Sequence, residues 1–333
     1  MDYVPFGTTG VRVSRLGLGT MAFGREADAE ASAAMYARAR DAGINLFDCA
    51  DVYAKGESER LLGALVRPHR DQVVLTTKAY FPTGDGPNDR GASRYHLERA
   101  VEASLSRLGT DRVDVLFLHR FDEHTPLEES LRGVERLVRA GKVIYPAVSN
   151  FAAWQTVEAL GIEARHGWAP IAAIQPMYNL VKRTAEIEVL PMARAKGLAV
   201  LPYSPLGGGL LSGRYGAARR PAAGRLVDDP MYVKRYGAAW TLEVAERFTA
   251  LADARGIHPV TLAVAWVARH PAVTAPLIGG RSVEQLAPAL AAAELALDDA
   301  LYAELGALSP APPPATDRSE EGSGDDYASV LRR

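Results

Sequence analysis

Short apolar runs alternate with helical patterns along most of the chain. Eight runs lack the polar alternation of a half-exposed sheet, which indicates strands that are covered on both faces. They are SRLGLGT (14–20), INLFDCA (44–50), VVLTTK (73–78), VDVLFLH (113–119), VIYPAVSN (143–150), AAIQPMY (172–178), LAVLPYS (198–204) and APLIGG (275–280). Helical patterns separate them, and one of these begins at Ser93, a good N-cap residue, and ends at Gly109.

This alternation predicts a parallel sheet with right-handed crossovers. Eight strands are the number of an α/β (β/α)8 TIM barrel, which is the fold we expect. A doubly wound open sheet gives the same pattern, because periodicity does not show closure. The segment DYVPFGTTGVRVSR predicts an N-terminal β-hairpin that turns at Thr9–Gly10 and would plug the bottom of a barrel. Residues 207–239 form a long loop after the seventh strand, residues 1–308 the barrel, and residues 309–333 a Pro-rich and then acidic C-terminal tail.

Charge and composition narrow the classes of function. The 333 residues have a formal net charge of −2, so there is no electrostatic reason to expect nucleic acid or an anionic membrane as a partner. No apolar run is long enough to span a bilayer, and the first residues lack the pattern of a secretion signal. The single cysteine, Cys49, excludes an internal disulfide and favours a reducing, cytoplasmic location. No group of residues has the spacing of a zinc site.

Four chemically complementary side chains lie where strands are predicted to end. Asp48 and Tyr53 follow the second strand, Lys78 ends the third and His119 ends the fourth. The carboxyl ends of barrel strands converge on one mouth, so these side chains should meet. An ammonium lowers the pKa of a neighbouring phenol, which is otherwise about 10. Each residue alone is typical of an ordinary structural position, but together they favour proton-coupled reduction of a carbonyl group.

The order of several motifs resembles the aldo-keto reductase superfamily. They are GINLFDCADVYAKGESERLLG, VVLTTK, GPNDRGASRYHLERAVEASLSRLGTDRVDVLFLHR, VSNF, IQPMYNL, YSPLGGGLLSG and IGGRSVEQL. The segment GPNDRGASR resembles the branch that holds bacterial aldo-keto reductases and potassium-channel β subunits. The resemblance implies a (β/α)8 barrel with NADPH, or alternatively NADH, across its mouth. It also implies Tyr53 as general acid, Asp48 and Lys78 as residues that tune it, and His119 as the group that orients the carbonyl.

The same resemblance implies a cofactor-binding set at the strand ends. Ser149, Asn150 and Gln175 would hold the nicotinamide carboxamide, and Tyr203 would stack on the nicotinamide ring. Arg281 could pair with the 2′-phosphate of NADP. The full set is Gly19, Thr20, Met21, Ser149, Asn150, Gln175, Tyr203, Ser204, Leu206, Gly208, Gly279, Gly280, Arg281 and Gln285.

One departure from the family concerns the adenosine end of the cofactor. Pro288 and Ala289 stand where the family often has an acidic residue and an asparagine that contact adenine. The sequence therefore predicts a looser grip on adenosine and leaves the preference for NADP over NAD open.

Side chains around the mouth should select the substrate. The candidates are Phe23, Tyr80, Phe81, Arg120, Phe121 and Tyr178. Their mostly aromatic character favours a mid-sized carbonyl compound as the small-molecule substrate. Two alternatives remain: a tailoring ketoreductase acting on a keto-sugar or polyketide side chain in secondary metabolism, and a regulatory or binding subunit that senses cofactor occupancy. The sequence leaves a homo-oligomer open.

Overall fold

The computed structural model describes residues 1–316, so the acidic part of the predicted tail, residues 317–333, lies outside the described chain. The strands are β1 (Tyr3–Pro5), β2 (Arg12–Ser14), β3 (Gly17–Gly19), β4 (Leu46–Asp48), β5 (Val74–Ala79), β6 (Val113–Leu118), β7 (Val143–Ser149), β8 (Ala173–Gln175), β9 (Ala199–Val200) and β10 (Leu277–Ile278). The helices are α1 (Ala29–Asp41), α2 (Glu57–Val66), α3 (Arg94–Leu108), α4 (Leu127–Arg139), α5 (Ala153–His166), α6 (Val189–Lys196), α7 (Arg225–Asp228), α8 (Pro230–Tyr236), α9 (Ala239–Ala254), α10 (Pro259–Arg269), α11 (Val283–Leu290) and α12 (Asp299–Gly306).

Strands β3 to β10 form one parallel sheet in the order β10-β3-β4-β5-β6-β7-β8-β9. Backbone hydrogen bonds also join the two ends of this order. The Ala275 amide donates to Val200 O at 3.2 Å, and the Leu277 amide donates to Pro202 O at 2.8 Å. The hydrogen bonds therefore run round the full circle, which confirms the (β/α)8 barrel and excludes the open, doubly wound sheet.

The predicted N-terminal hairpin is confirmed, and it seals one end of the barrel. Strands β1 and β2 pair antiparallel, with Val4 opposite Val13. Phe6 and Val13 are fully buried in the cluster of inward-facing barrel residues that includes Phe117. A Cβ atom on Gly7 would lie 2.7 Å from Gly197 O, so the hairpin packs closely against the chain that leads into β9. Because this contact lies at the amino end of β9, the mouth at the carboxyl ends remains open.

Helix boundaries follow the local signals in the sequence. Ser93 caps α3 by accepting a hydrogen bond from the His96 amide at 3.2 Å, and Gly109 ends that helix with a φ of +62°. Residues 207–239, expected as one long loop, contain the two short helices α7 and α8, and we call this region the strap. Within residues 1–316, no helix has both the length and the apolar composition needed to cross a bilayer.

Candidate active site

The structure brings Asp48, Tyr53, Lys78 and His119 together at the carboxyl ends of β4, β5 and β6. Lys78 Nζ lies 2.5 Å from Asp48 Oδ2 and 3.4 Å from the Tyr53 hydroxyl. The same ammonium donates a hydrogen bond of 2.7 Å to the carbonyl of Cys49. Three acceptors therefore fix the ammonium directly beside the phenol.

The carboxylate of Asp48 is held as firmly as its partner. Its Oδ1 atom accepts hydrogen bonds from Thr76 Oγ1 at 2.7 Å and from Gln175 Nε2 at 2.9 Å. The side chains of Lys78 and Asp48 are only 0% and 3% exposed. A buried ion pair is stable only when further hydrogen bonds satisfy its remaining polar atoms, as they do here. The carboxylate and the ammonium therefore have fixed positions next to Tyr53.

Burial dominates the electrostatics of Tyr53 and raises the pKa of its phenol to about 12. Lys78 acts in the opposite direction, but Asp48 offsets part of its effect. Lys78 thus lowers the pKa of Tyr53 in the expected direction, but burial favours the neutral phenol and has the larger effect, so the pKa lies above its usual value. Burial alone would lower the pKa of Lys78, but Asp48 and Tyr53 raise it above its ordinary value. At neutral pH the site thus pairs a protonated phenol with a charged ammonium.

His119 is a neutral imidazole beside Tyr53. Burial, and then the charge of Lys78, hold the pKa of His119 well below its ordinary range. Its ring meets that of Tyr53 edge-on, with centroids 6.1 Å apart, and that of Phe81 with centroids 4.8 Å apart. A neutral imidazole has one N–H donor, so His119 can donate a hydrogen bond to a ligand oxygen placed beside the Tyr53 hydroxyl.

A chain of hydrogen bonds joins the strand ends on the other side of the mouth. The Tyr203 hydroxyl donates to Asn150 Oδ1 at 2.7 Å. Asn150 Nδ2 donates to His119 O and to Ser149 Oγ, each at 3.0 Å, and Ser149 Oγ donates to Gln175 O at 2.9 Å. The side chain of Asn150 is thus engaged within the protein. It therefore holds the side chains of Ser149 and Tyr203 in place.

Other members of the expected cofactor set shape the backbone near β3 and β10. A Cβ atom on Gly279 would lie 3.0 Å from Gly19 O, so these strand ends touch. Thr20 is fully buried, and its hydroxyl donates to Asp48 O at 3.0 Å. The close approach of Gly19 and Gly279 is possible because glycine has no side chain. Of the remaining members, Met21, Ser204 and Leu206 are partly buried, Gly208 lies in a 3-10 helix (Gly207–Gly209) at the start of the strap, and Gly280 follows β10.

A cleft of about 420 Å³ lies between the strap and Arg281. Its lining residues are Arg25, Glu26, Gly224, Arg225, Asp228, Asp229, Pro230, Tyr232 and Arg281. Arg225 Nη2 lies 3.0 Å from Glu26 Oε1, which ties the strap to the chain before α1. Arg281 is exposed, and its amide donates to Gln285 Oε1 at 3.2 Å. No local pattern in the sequence predicted the contact between Glu26 and Arg225.

The aromatic residues around the mouth do not all face it. Phe81 packs on Tyr80 and His119, and Phe121 packs on Phe151 and Trp154. Trp154 is 61% exposed and was not among the predicted pocket residues, since it begins a helix and does not end a strand. Phe81 thus lies next to the imidazole that meets Tyr53, and the exposed Arg120 follows His119.

Tyr178 and Phe23 must be removed from the predicted substrate pocket. Tyr178 is fully buried, donates its hydroxyl to Glu186 Oε1 at 2.7 Å and packs against Trp266. Phe23 is likewise buried in the main core. Their rings contact the helices that cover the barrel. Neither ring can therefore contact a ligand in this conformation.

Residues that could hold a metal ion are not grouped in the part of the chain that the structure describes. Among residues 1–316, no set of three or more His, Cys, Asp or Glu side chains is arranged as a metal site. Cys49 is a buried core residue, and burial raises the pKa of its thiol to about 12. A thiol with so high a pKa is a poor nucleophile.

Comparison with known proteins identifies the family. Residues 15–310 match the model of the Aldo/keto reductase family. The chain is 39% identical over 323 residues to an uncharacterized oxidoreductase of Bacillus subtilis, YrpG, covering 94% of this chain and 97% of that protein. It is 35% identical over 293 residues to a probable voltage-gated potassium channel subunit beta of Oryza sativa, covering 86% of this chain and 89% of that protein. It is 30% identical over 323 residues to a versiconal hemiacetal acetate reductase of Aspergillus parasiticus, covering 89% of this chain and 94% of that protein. The chain therefore belongs to the aldo/keto reductase family.

Proposed function

We propose that the protein reduces an aldehyde or ketone to an alcohol with NADPH, and that Tyr53 is the general acid. The observation that supports this most directly is the ammonium of Lys78, 2.5 Å from the Asp48 carboxylate and 3.4 Å from the Tyr53 hydroxyl. Membership of a family of oxidoreductases supports the reaction class.

The residues at the mouth fit a nicotinamide dinucleotide. The amide nitrogen of Gln175 donates a hydrogen bond to Asp48, and its carbonyl oxygen can accept one from a carboxamide. The ring of Tyr203 is positioned by Asn150 and offers a flat apolar face. Arg281 offers an exposed guanidinium to a phosphate at the cleft below the strap. Pro288 and Ala289 lie within α11 and offer no polar side chain, which supports a looser hold on adenine.

The chemistry divides among the chain's own residues. When bound, the nicotinamide supplies a hydride to the carbonyl carbon. Tyr53 donates its phenolic proton to the carbonyl oxygen, and Lys78 stabilises the phenolate that remains. Asp48 holds Lys78 in place through the short ion pair. His119, neutral and adjacent, donates a hydrogen bond to the same oxygen and orients it.

Two other functions remain candidates because specific observations favour them. The relative named a hemiacetal acetate reductase and the exposed ring of Trp154, which packs on Phe121, favour a tailoring reductase for bulky carbonyl compounds. The relative named a potassium channel subunit favours a subunit that senses cofactor occupancy. The complete Asp48–Lys78–Tyr53 arrangement supports the reductases over a subunit that senses the cofactor without turnover.

The test is an assay of NADPH oxidation with a panel of aldehydes, ketones and keto-sugars, applied to the wild type and to Tyr53→Phe. Loss of a positioned acid should reduce turnover about 10²–10⁴-fold. NADPH binding, followed by fluorescence, should stay close to wild type, because the ring is retained. Tyr95→Phe, a change at an exposed tyrosine, is the matched control.

Full turnover by Tyr53→Phe with a chemistry-limited substrate would show that another group is the acid. A wild type that binds NADPH but reduces no member of the panel would favour the sensing subunit.

A further inference from the structure

Asp51 is a buried carboxyl group that the proposed reaction does not use. It lies between β4 and Tyr53, and its amide donates to the carbonyl of Lys78 at 3.1 Å. The residue is 2% exposed. Neither carboxyl oxygen makes a well-formed hydrogen bond to any group within residues 1–316, although the adjacent Val52 amide lies near enough to favour the carboxylate slightly.

The cations near Asp51 are already paired with other carboxylates. Glu59 on α2 is fully buried and accepts hydrogen bonds from Arg107 Nε and from Thr77 Oγ1, each at 2.6 Å. Lys78 on β5 is paired with Asp48. The charged groups that face Asp51 are thus Glu59, Arg107 on α3 and Lys78. Of the carboxyl groups of Asp48, Asp51 and Glu59, only that of Asp51 has no counter-ion of its own within residues 1–316.

A carboxylate buried without a partner is costly, so the group keeps its proton instead. Burial, and then the nearby Glu59, raise the pKa of Asp51 to about 8. The side chain is therefore neutral at pH 7. Above about pH 8 the same place must accommodate a second negative charge beside Glu59.

The segment next to Asp51 is strained and carries Tyr53. Ala54 and Lys55 have left-handed backbone conformations, with φ of 48° and 54°, and Gly56 follows with a φ of 89°. Such conformations cost about 1–2 kcal/mol for residues other than glycine and persist only where the surroundings enforce them. A Cβ atom on Gly56 would lie 2.6 Å from Arg107 Cδ, so the turn rests on the arginine that also holds Glu59.

We propose that Asp51, in its protonated form, is a positioning residue that seats residues 51–56 against β5 and thereby holds the Tyr53 hydroxyl over Lys78. Ionisation of Asp51 places two carboxylates beside one guanidinium and loosens the strained turn. Turnover then falls at a pH well below that at which Tyr53 itself ionises. The inference rests on the proposed carbonyl reduction, but its effects on protonation and stability do not require turnover.

The sign of the effect on stability follows from proton linkage. Between pH 3.8, the ordinary pKa of this carboxyl, and about pH 8, the folded protein holds a proton that the unfolded chain has released. The free energy of unfolding therefore falls as the pH rises through this window and levels off above it. Asn at position 51 keeps the shape of the neutral acid and cannot ionise, so this part of the fall should disappear.

The experiment compares wild type, Asp51→Asn and Glu163→Gln. Glu163 is a matched control because its buried carboxyl also has a pKa raised to about 8, but it lies on α5 and accepts from the Ile171 amide. From pH 7 to pH 9 the kcat of the wild type should fall about tenfold, as the protonated fraction of a group with a pKa near 8 does. Over the same pH range the kcat of Asp51→Asn should fall less than about twofold. At pH 7 its kcat should be within about twofold of the wild-type value.

Glu163→Gln separates a positioning role from a merely structural one. Both variants should flatten the pH dependence of Tm, since each removes a buried acid, but only Asp51→Asn should move the alkaline fall of kcat. An unchanged alkaline fall in Asp51→Asn, or an equal shift in Glu163→Gln, would overturn the proposal. So would a large loss of kcat in folded Asp51→Asn at pH 7.

Infrared spectroscopy keeps the test decisive if Asp51→Asn does not fold. Glu163→Gln should retain the C=O stretch of a protonated carboxyl at pH 7, and this band should disappear as the pH passes about 8. Absence of the band would overturn the proposal without reference to activity. A wild type that shows the band and the slope in Tm but reduces no carbonyl compound would contradict the proposed function alone.

Discussion

The two ends of the barrel differ in the residues that they bury. At the end sealed by the hairpin, Phe6 and Val13 pack into an apolar cluster with Val115 and Phe117. At the open end, the chain buries the Asp48–Lys78 ion pair. All four non-glycine residues with positive φ within residues 1–316 also follow strands at this end, and they are Ala54, Lys55, Asn150 and Ser204. Backbone strain and the most deeply buried ion pair therefore lie where chemistry is proposed.

Lys78→Met should have the largest effect, because it removes both the cation beside Tyr53 and the partner of the buried Asp48 carboxylate. Turnover should fall by at least about 10²-fold, since the phenolate of Tyr53 loses its cation. Removing one partner also leaves the Asp48 carboxylate buried and unpaired, so the free energy of unfolding should fall by about 3–5 kcal/mol. Steady-state kinetics and urea denaturation measure the two losses, with the exposed Lys196→Met as control. Loss of stability with full activity would separate Lys78 from the reaction.

Phe6→Ala tests the sealed end, where we expect lost stability without lost chemistry. Truncating a fully buried phenylalanine should lower the free energy of unfolding by about 3–5 kcal/mol. At temperatures where the variant is folded, its kcat should equal that of the wild type. Tyr3→Ala, on the exposed side of the same hairpin, should cost much less. A reduced kcat in folded Phe6→Ala would mean that the two ends are coupled and that the contrast between them fails.

Arg281→Ala should have the smallest effect and sharpens the contrast within the open end. If the guanidinium binds the 2′-phosphate, NADPH binding should weaken by about 1.5–3 kcal/mol, the usual size of a charge-assisted hydrogen bond. NADH binding should barely change, because NADH lacks this phosphate. Fluorescence titration of both cofactors measures the difference, with exposed Arg165→Ala as control. Equal losses for both cofactors would assign Arg281 to packing or to the pyrophosphate.

The strand ends could be predicted from the sequence because each follows an apolar run that periodicity reveals. Asp48, Lys78 and His119 were located in this way, and barrel geometry then implied that they meet. Tyr178 misled because it lies three positions beyond Gln175. Residues an odd number apart along an extended chain point to opposite faces, so its ring faces the outer helices.

Properties that depend on packing between residues far apart in the sequence could not be predicted from it. The Arg225–Glu26 pair joins residues 199 positions apart, and no local pattern announces it. The pKa of Tyr53 is raised because the folded barrel excludes water from the phenol. The sequence showed the neighbouring ammonium but not the degree of burial, and burial had the larger effect.

The closure of the barrel also governs how the chain can fold during synthesis. Leu277 of β10 pairs with Gly17 of β3, so the two strands that complete the circle are 260 positions apart. At about 5–20 residues per second, a ribosome needs roughly 13–50 s to make the second after the first. Throughout this interval β3 has an unpaired edge, which can recruit strands of other nascent chains. The yield of soluble protein should therefore fall when translation is slowed and rise with chaperones that protect this edge until β10 emerges.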